Sequence, residues 1–407
     1  MQMDFDGEED QRMSIHRIFR YELPTAIQFG VGAVQDLAVH VKKLNGTKVL
    51  LVSDPGVQKA GMTGRLEQAL RTGGVPYTLY NDIEPEPDIE GVMRGTLLAK
   101  SESCDCIVGV GGGSALDTAK AIGLMMANEG HIRDYVGINI VPKKGAPVIA
   151  LPTTAGTGSE LTIWSVLSDK QAKVKLSVGS PYNCPDLAIC DPELTLSLPA
   201  HVTAATGMDA LTHALESFVN KATQPISEGM SLQAMKLIAR SLRTAVFQGE
   251  NLEARYDMLM ASLIAAMAFN PTRLGLAHAL AIPLGAHFKI PHGTVNAILL
   301  PEVMEFNLRG NLSKFKEIAQ IFGMPVDGRS PTDAAEQAVV AVRRLKQDVG
   351  ITQTLSDYGV TEADLGYIAE EAMTSGNVPV NPVQPTPHDL QQICRAAMRL
   401  RKEDAGA

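Results

Sequence analysis

Short apolar runs alternate with stretches of helical periodicity between about residue 16 and residue 200, the pattern of βαβ units around a parallel sheet. KVLLVSD (48–54) reads as a buried strand and VQKAGMTGRLEQALRTGG (57–74) as the helix after it, ended by paired glycines. PYTLYND (76–82) is the next strand, EPEPD (84–88) a proline-rich turn, and a further helix is expected near 88–102. The strand CDCIVGV (104–110) leads through the turn GGGS (111–114) into the helix ALDTAKAIGLMMAN (115–128). APVIALPTT (146–154) is another strand, and LTIWSVLSD with AKVKLSVG forms a β pair close to residue 170. After LTLSLPAH (194–201) strand signals end and long helical periodicities follow, among them ALTHALESFVN, EARYDMLMASLIAAMAF and AAEQAVVAVRRLKQDVG. The predicted fold is an α/β N-terminal domain with a parallel Rossmann-like sheet over 16–200, preceded by an acidic tail at 1–15, and an all-α C-terminal domain over 201–407. One continuous α/β domain with helical insertions is the alternative.

At 407 residues the chain exceeds the length at which single cores stop growing, which favours two domains. With 45% hydrophobic and 20% charged residues it has the balance of a globular protein, and a net charge of -9 argues against a nucleic-acid surface. Five cysteines (Cys104, Cys106, Cys184, Cys190, Cys394) form no CxxC pair, so neither a disulfide framework nor a thiolate zinc site is expected. The opening MQMDFDGEEDQRMS is acidic and lacks the apolar core of a secretory signal. Apolar runs such as LIAAMAF fall well short of the roughly 18 residues that span a bilayer. The expectation is a cytoplasmic protein without membrane or nucleic-acid partners.

Gly111, Gly112, Gly113 and Ser114 lie between a strand and a helix N-terminus, where backbone amides can approach a pyrophosphate and the helix dipole favours its charge. The spacing is not G-x-G-x-x-G, and a tight turn explains GGGS equally well. Asp54 ends the first strand of the set; there a carboxylate can accept from adenosine ribose hydroxyls and repel a 2′-phosphate, or simply cap the following helix. PTTAGTGSE (152–160) follows a strand directly, with Thr153 and Thr154 as the foremost donors to phosphate or ribose.

In the helical half, Asp209 and His213 stand four residues apart, on one face of a helix. Such a pair is a half-site for a divalent ion or an ordinary helix contact. LGLAHALAIPLGAHFKIPHG then carries His278, His287 and His292 in apolar surroundings, with Pro283 and Pro291 expected to break any helix between them. Three imidazoles and one carboxylate without thiolate suit Fe(II) or Zn(II) with an open position, not a structural zinc cage.

GGGSxxDxAK, PTTAGTGSE, DPELTLSLP, AATGMDALTHALE and HALAIPLGAHFKIPHGTVNAILLP, in this order, resemble the iron-containing (group III) alcohol dehydrogenase family, over about residues 20 to 400. The resemblance implies a nucleotide-binding α/β domain, a helical domain, a cleft between them, and a homodimer or higher oligomer. It makes Asp209, His213, His278 and His292 the metal ligands, catalytic through the metal, and leaves His287 outside the set. It assigns NAD contacts to Asp54, Gly112, Gly113, Ser114, Thr153, Thr154, Lys175 and Leu194, although Lys175 on a polar strand could be merely solvated. Trp164, Phe269, Ile282 and Asn377 are the implied substrate pocket; Trp164 could instead be a core strand residue, and Ile282 could fill core space while His287 or water carries the proton. Ile282 stands where many members have histidine, Pro85-Glu86-Pro87 replaces PNP, and Asn381-Pro382-Val383 replaces NPR. The implied reaction is metal-assisted hydride transfer between NAD(H), with Fe(II) or alternatively Zn(II), and a small alcohol/aldehyde or hydroxy acid/oxo acid pair. A maleylacetate-reductase-like enzyme and a nucleotide-binding module with a structural metal are the rivals. A GSE sequence without the G-x-S-x-G elbow speaks against a hydrolase.

Overall fold

The computed structural model describes residues 18–84, 86–172 and 174–399; the acidic tail expected at 1–15 and Pro85 of the altered family turn lie outside the described residues. The strands are β1 (Ala26–Phe29), β2 (Val49–Ser53), β3 (Tyr77–Tyr80), β4 (Cys106–Gly111), β5 (Gly137–Ile138), β6 (Val148–Pro152), β7 (Trp164–Asp169), β8 (Val174–Gly179) and β9 (Leu187–Cys190). Helices α1 (Leu37–Lys43), α2 (Pro55–Lys59), α3 (Met62–Thr72), α4 (Ile89–Ser101) and α5 (Gly113–Met125) fall between them. Every later element is helical: α6 (Ala200–Val219), α7 (Pro225–Phe247), α8 (Leu252–Thr272), α9 (Leu276–Phe288), α10 (His292–Asn307), α11 (Leu312–Ile321), α12 (Pro331–Asp348), α13 (Leu365–Met373) and α14 (Pro387–Ala397), with short 3-10 turns.

Six strands form a parallel sheet in the order β1-β9-β6-β4-β2-β3. Both faces are covered, which is why its strands read as continuous apolar runs. Val49, Leu51, Val108 and Ile149 pack with Leu37, Leu66 and Leu70 on one side, while Leu50, Val52, Ile107 and Val148 pack with Val92, Ala119 and Ile122 on the other. The chain steps from β2 outward to β3 and then returns past β2 to β4, so the loops leaving β2 and β4 diverge and open a crevice at the strands' C-terminal ends. Asp54 and Gly112 stand at that crevice. A second sheet, β5-β8-β7, holds the expected β pair, with β7 and β8 antiparallel.

Two local expectations change. The helix expected over 57–74 is two helices, because Gly61 takes φ 78 and turns the chain between α2 and α3. Pro283 does not end its helix: α9 runs through it to Phe288, since Leu280, Ala281 and Leu284 are buried around the missing hydrogen bond and packing outweighs the local cost. The reversal comes at Lys289, with φ 54, and Pro291 then starts α10. Among the described residues no single helix is long and apolar enough to cross a membrane.

Lys120 is among the largest fully buried side chains of the described residues. Its Nζ donates to the Ser159 carbonyl at 3.0 Å and to the Trp164 carbonyl, and lies 3.1 Å from Asp117 Oδ1. Asp117 in turn accepts from Ser159 Oγ at 2.5 Å and from the Val166 amide at 2.9 Å. The GGGSxxDxAK motif thus uses its last two polar residues to pin α5 to the segment that carries the 152–160 loop into the small sheet. Removing one partner of a buried ion pair strands the other, so Lys120→Met should cost about 3–5 kcal/mol in urea unfolding. A loss below about 1 kcal/mol would show that the pair is not what holds this segment.

Candidate metal centre and cofactor cleft

Three helices bring four ligand-bearing side chains together. α6 presents Asp209 and His213 one turn apart, α9 presents His278, and His292 is the first residue of α10. Their ligand atoms all lie within 4.8 Å of one another. Asp209 Oδ1 is 3.7 Å from His278 Nε2, 3.8 Å from His292 Nε2 and 4.0 Å from His213 Nε2. Asp209, His213 and His278 are buried, whereas the side chain of His292 is 47% exposed and forms the open side of the cluster. The His213 and His278 rings stack at 4.7 Å, and Phe269 on α8 lies 4.5 Å from the His213 ring.

The remote ring nitrogens are held. His213 Nδ1 is 3.1 Å from the Gly156 carbonyl, and His278 Nδ1 is 2.7 Å from Glu216 Oε2. Glu216, itself buried, also accepts from the Gly275 amide at 2.8 Å and the Ala277 amide at 2.7 Å, which caps the start of α9 and sets the height of His278. Sequence reasoning missed Glu216, although 209, 213 and 216 follow i, i+4, i+7 on one helix face. It also missed Asn296, four residues after His292, whose Nδ2 lies 2.7 Å from Asp209 Oδ1. Burial would raise the Asp209 carboxyl, but His213, His292 and His278 around it hold it far below the usual carboxylate range. Burial pushes His213 down to about 3, so its ring is neutral near pH 7. For His278 burial acts downward and is outweighed by Glu216 and Asp209, which lift it to about 9. An ionised carboxylate among imidazoles, sharing no thiolate, is a donor set that fits a divalent cation of borderline hardness.

Most of the residues expected to meet the cofactor gather at the crevice. Asp54 Oδ1 caps α2 by accepting from the Gly56 and Val57 amides at 2.8 and 3.0 Å, while Oδ2 turns toward Gly111. Gly112 caps α5, and Gly113 and Ser114 open its first turn. A Cβ on Gly112 would come 3.3 Å from Thr154, and one on Gly113 3.1 Å from Thr157, so the two loops face each other across a space that glycine keeps open. Thr153 is buried, its amide bonded to the Gly111 carbonyl at 3.0 Å; Thr154 Oγ1 is buried without a partner, an unfilled hydroxyl that suits a phosphate or ribose ligand. Lys175 on β8 pairs with Glu86 at 3.4 Å and its Nζ approaches Gly285 of α9, so it reaches between the small sheet and the ligand helix. Leu194 is different: it is fully buried in the core beneath the large sheet, with no surface to offer a cofactor, and supports the crevice from below.

The residues expected to form the substrate pocket lie on separate elements. Ile282 is 40% exposed, one turn beyond His278 on α9. Trp164 opens β7 with its ring over Gly179, where it fills the small sheet's surface. Asn377 is half-buried and accepts from the Leu274 amide at 3.4 Å, just before α9. His287 lies 2.8 Å from Glu371 and edge-on to Tyr367 of α13, half a helical turn round α9 from His278.

Residues 24–192 match the family described as iron-containing alcohol dehydrogenase, and residues 203–398 match the C-terminal part of the same family. A 1,3-propanediol dehydrogenase of Klebsiella pneumoniae is 42% identical over 384 residues, 94% of this chain and 99% of that protein. An NAD-dependent methanol dehydrogenase of Bacillus methanolicus is 40% identical over 92% of this chain and 99% of its own length. The crystal structure of a 1,3-propanediol oxidoreductase superposes with a TM-score of 0.92 at 42% identity, covering 94% of this chain and all of that one. The chain belongs to the iron-containing alcohol dehydrogenase family.

Proposed function

We propose that this protein is an NAD-dependent dehydrogenase that interconverts a small primary alcohol and its aldehyde, with Asp209, His213, His278 and His292 holding a divalent ion, Fe(II) before Zn(II). The carrying observation is the 152–158 loop: Thr154 faces the Gly112 turn on one side, and the Gly156 carbonyl meets His213 on the other. One stretch of backbone therefore forms a wall of both the nucleotide crevice and the ligand cluster. A bound cation would supply Lewis acidity to the alcohol oxygen, and a bound nicotinamide the hydride acceptor.

The chain's own residues supply position and exclusion of water. Gly112, Gly113 and the α5 N-terminus fit a pyrophosphate, and Asp54 keeps an oxygen available for ribose while its other oxygen caps α2. Relatives support this cofactor: the methanol dehydrogenase is named NAD-dependent, and a sulfoacetaldehyde reductase of Bifidobacterium kashiwanohense, 32% identical with a TM-score of 0.85, was solved with NAD+. Phe269 and Ile282 line the approach with hydrocarbon. All five cysteines are buried and unpaired, in keeping with a reducing cytoplasm.

The test is NADH absorbance with primary alcohols of two to six carbons after loading with Fe(II) or Zn(II). Turnover should vanish on chelation, and kcat/KM should climb with chain length, by up to about fourfold per buried methylene. Turnover indifferent to chelation would favour the maleylacetate-reductase-like reading, and none with any alcohol or aldehyde would end the enzyme reading.

Cofactor choice is tested by Asp54→Asn, which keeps the helix cap and removes the charge. Wild type should prefer NAD, and the variant should accept NADP more readily; a wild type that prefers NADP contradicts the ribose assignment.

A cation must displace the proton that His278 keeps up to about pH 9. Metal affinity should therefore rise with pH below 9, by up to about tenfold per unit, and Glu216→Gln should flatten the slope. Chelator competition at three pH values checks this, and a flat wild-type profile would show that His278 carries no proton for the cation to displace.

A further inference from the structure

Two of the four ligands have an orienting partner at the ring nitrogen turned away from the cluster. His278 leans on Glu216 and His213 on the Gly156 carbonyl. Asp209 Oδ1 meets the Asn296 amide at 2.7 Å, and His292 Nε2 meets the same nitrogen at 3.2 Å. His278 Nε2 is a third neighbour at 3.1 Å. One carboxamide nitrogen thus touches the metal-facing atoms of three ligands drawn from three helices.

We propose that Asn296 is a positioning residue of the metal centre, which fixes the Asp209 carboxylate and, through the turn of α10 that it shares with His292, the place of that ligand beside it; the proposal rests on the metal-binding reading above. His292 is the ligand most in need of restraint. It opens α10 directly after Pro291 and its side chain is half open to solvent, whereas Asn296, one turn further along the same helix, is fully buried. Gly293 lets this turn press against α6, where a Cβ would come within 2.5 Å of the Ala205 carbonyl oxygen. The amide is therefore delivered to Asp209 by two helices in close contact.

The other end of the side chain argues for the same role. Asn296 Oδ1 is buried with no partner, although burying an unsatisfied acceptor is costly. An asparagine retained for packing alone would be served better by leucine, or would satisfy both ends. This one is satisfied only on the side of the ligands. A carboxamide has two N–H donors for its three neighbours. Ring lone pairs given to a cation leave the Asp209 carboxylate, with its further lone pairs, as the acceptor that keeps the bond.

The experiment compares Asn296→Leu, which keeps the volume, and Asn296→Ala, which relieves any clash, with wild type. Metal dissociation constants come from chelator competition, the cobalt(II)-loaded protein gives a visible spectrum, and Tm is taken with chelator and with metal. Both variants should bind metal about 10–100-fold more weakly and shift the cobalt(II) bands, while the Tm gained on adding metal shrinks. Wild-type affinity and spectrum in the variants, with Tm lowered equally with and without metal, would make Asn296 a packing residue and overturn the proposal. A wild type that takes up no divalent ion would instead overturn the metal reading itself.

Discussion

The cleft depends on the docking of the 152–158 loop onto α6. A Cβ at Gly156 would come 2.6 Å from Thr206 Cβ and 2.7 Å from its carbonyl, so only glycine allows the two backbones to touch. At that contact the Gly156 carbonyl meets His213, and two residues on, Gly158 takes φ 63 and passes Ala266 of α8 as closely. At this contact the sheet half and the helical half meet backbone to backbone, without long side chains that could adapt. A shift of the loop would therefore move the imidazole of His213 and the hydroxyl of Thr154 together.

Charge is buried on both sides of this contact, and each side handles it in the same way. In the sheet half Lys120 and Asp117 form a pair whose remaining hydrogen-bonding capacity goes to backbone and to Ser159. In the helical half Glu216 spends its oxygens on two amides and the His278 ring, and Asp209 stays ionised among imidazoles. Buried carboxylates are tolerable only when their lone pairs are so occupied. Glu160 departs from this pattern: it is buried with both oxygens unpartnered, and burial raises it to about 7, so near neutrality much of it is uncharged.

Sequence patterning was most informative where an element is long or a spacing is periodic. The parallel sheet, the β pair near residue 170 and the helical second half follow from apolar runs and 3.6-residue repeats. Strands β1 and β9 were not legible, because four apolar or mixed residues in a row look the same in a loop, and only pairing with β6 and with each other makes them strands. Pro283 misled because a proline rule is local and α9 is held by its burial. Motifs brought out the four ligand-bearing residues, yet the residues that aim them stayed hidden. Glu216 and Asn296 each lie one turn from a ligand, a signal visible only once the ligand is known, and the partner of His278 lies 62 positions away. Leu194 shows the converse, since a motif position near a cofactor loop does not say which way a side chain points, and here it points into the core.

The exchange of histidine for Ile282 bears on how a proton leaves the site. His278 and Ile282 are one turn apart on α9, whereas His287, nine residues beyond His278, is rotated by half a turn and meets Glu371. No imidazole on α9 other than His278 therefore faces the cluster. The ammonium of Lys175 nears Gly285, three residues beyond the exposed Ile282 on α9. With hydrocarbon at position 282 and His287 turned to Glu371, His292 is the member of the cluster whose side chain meets solvent.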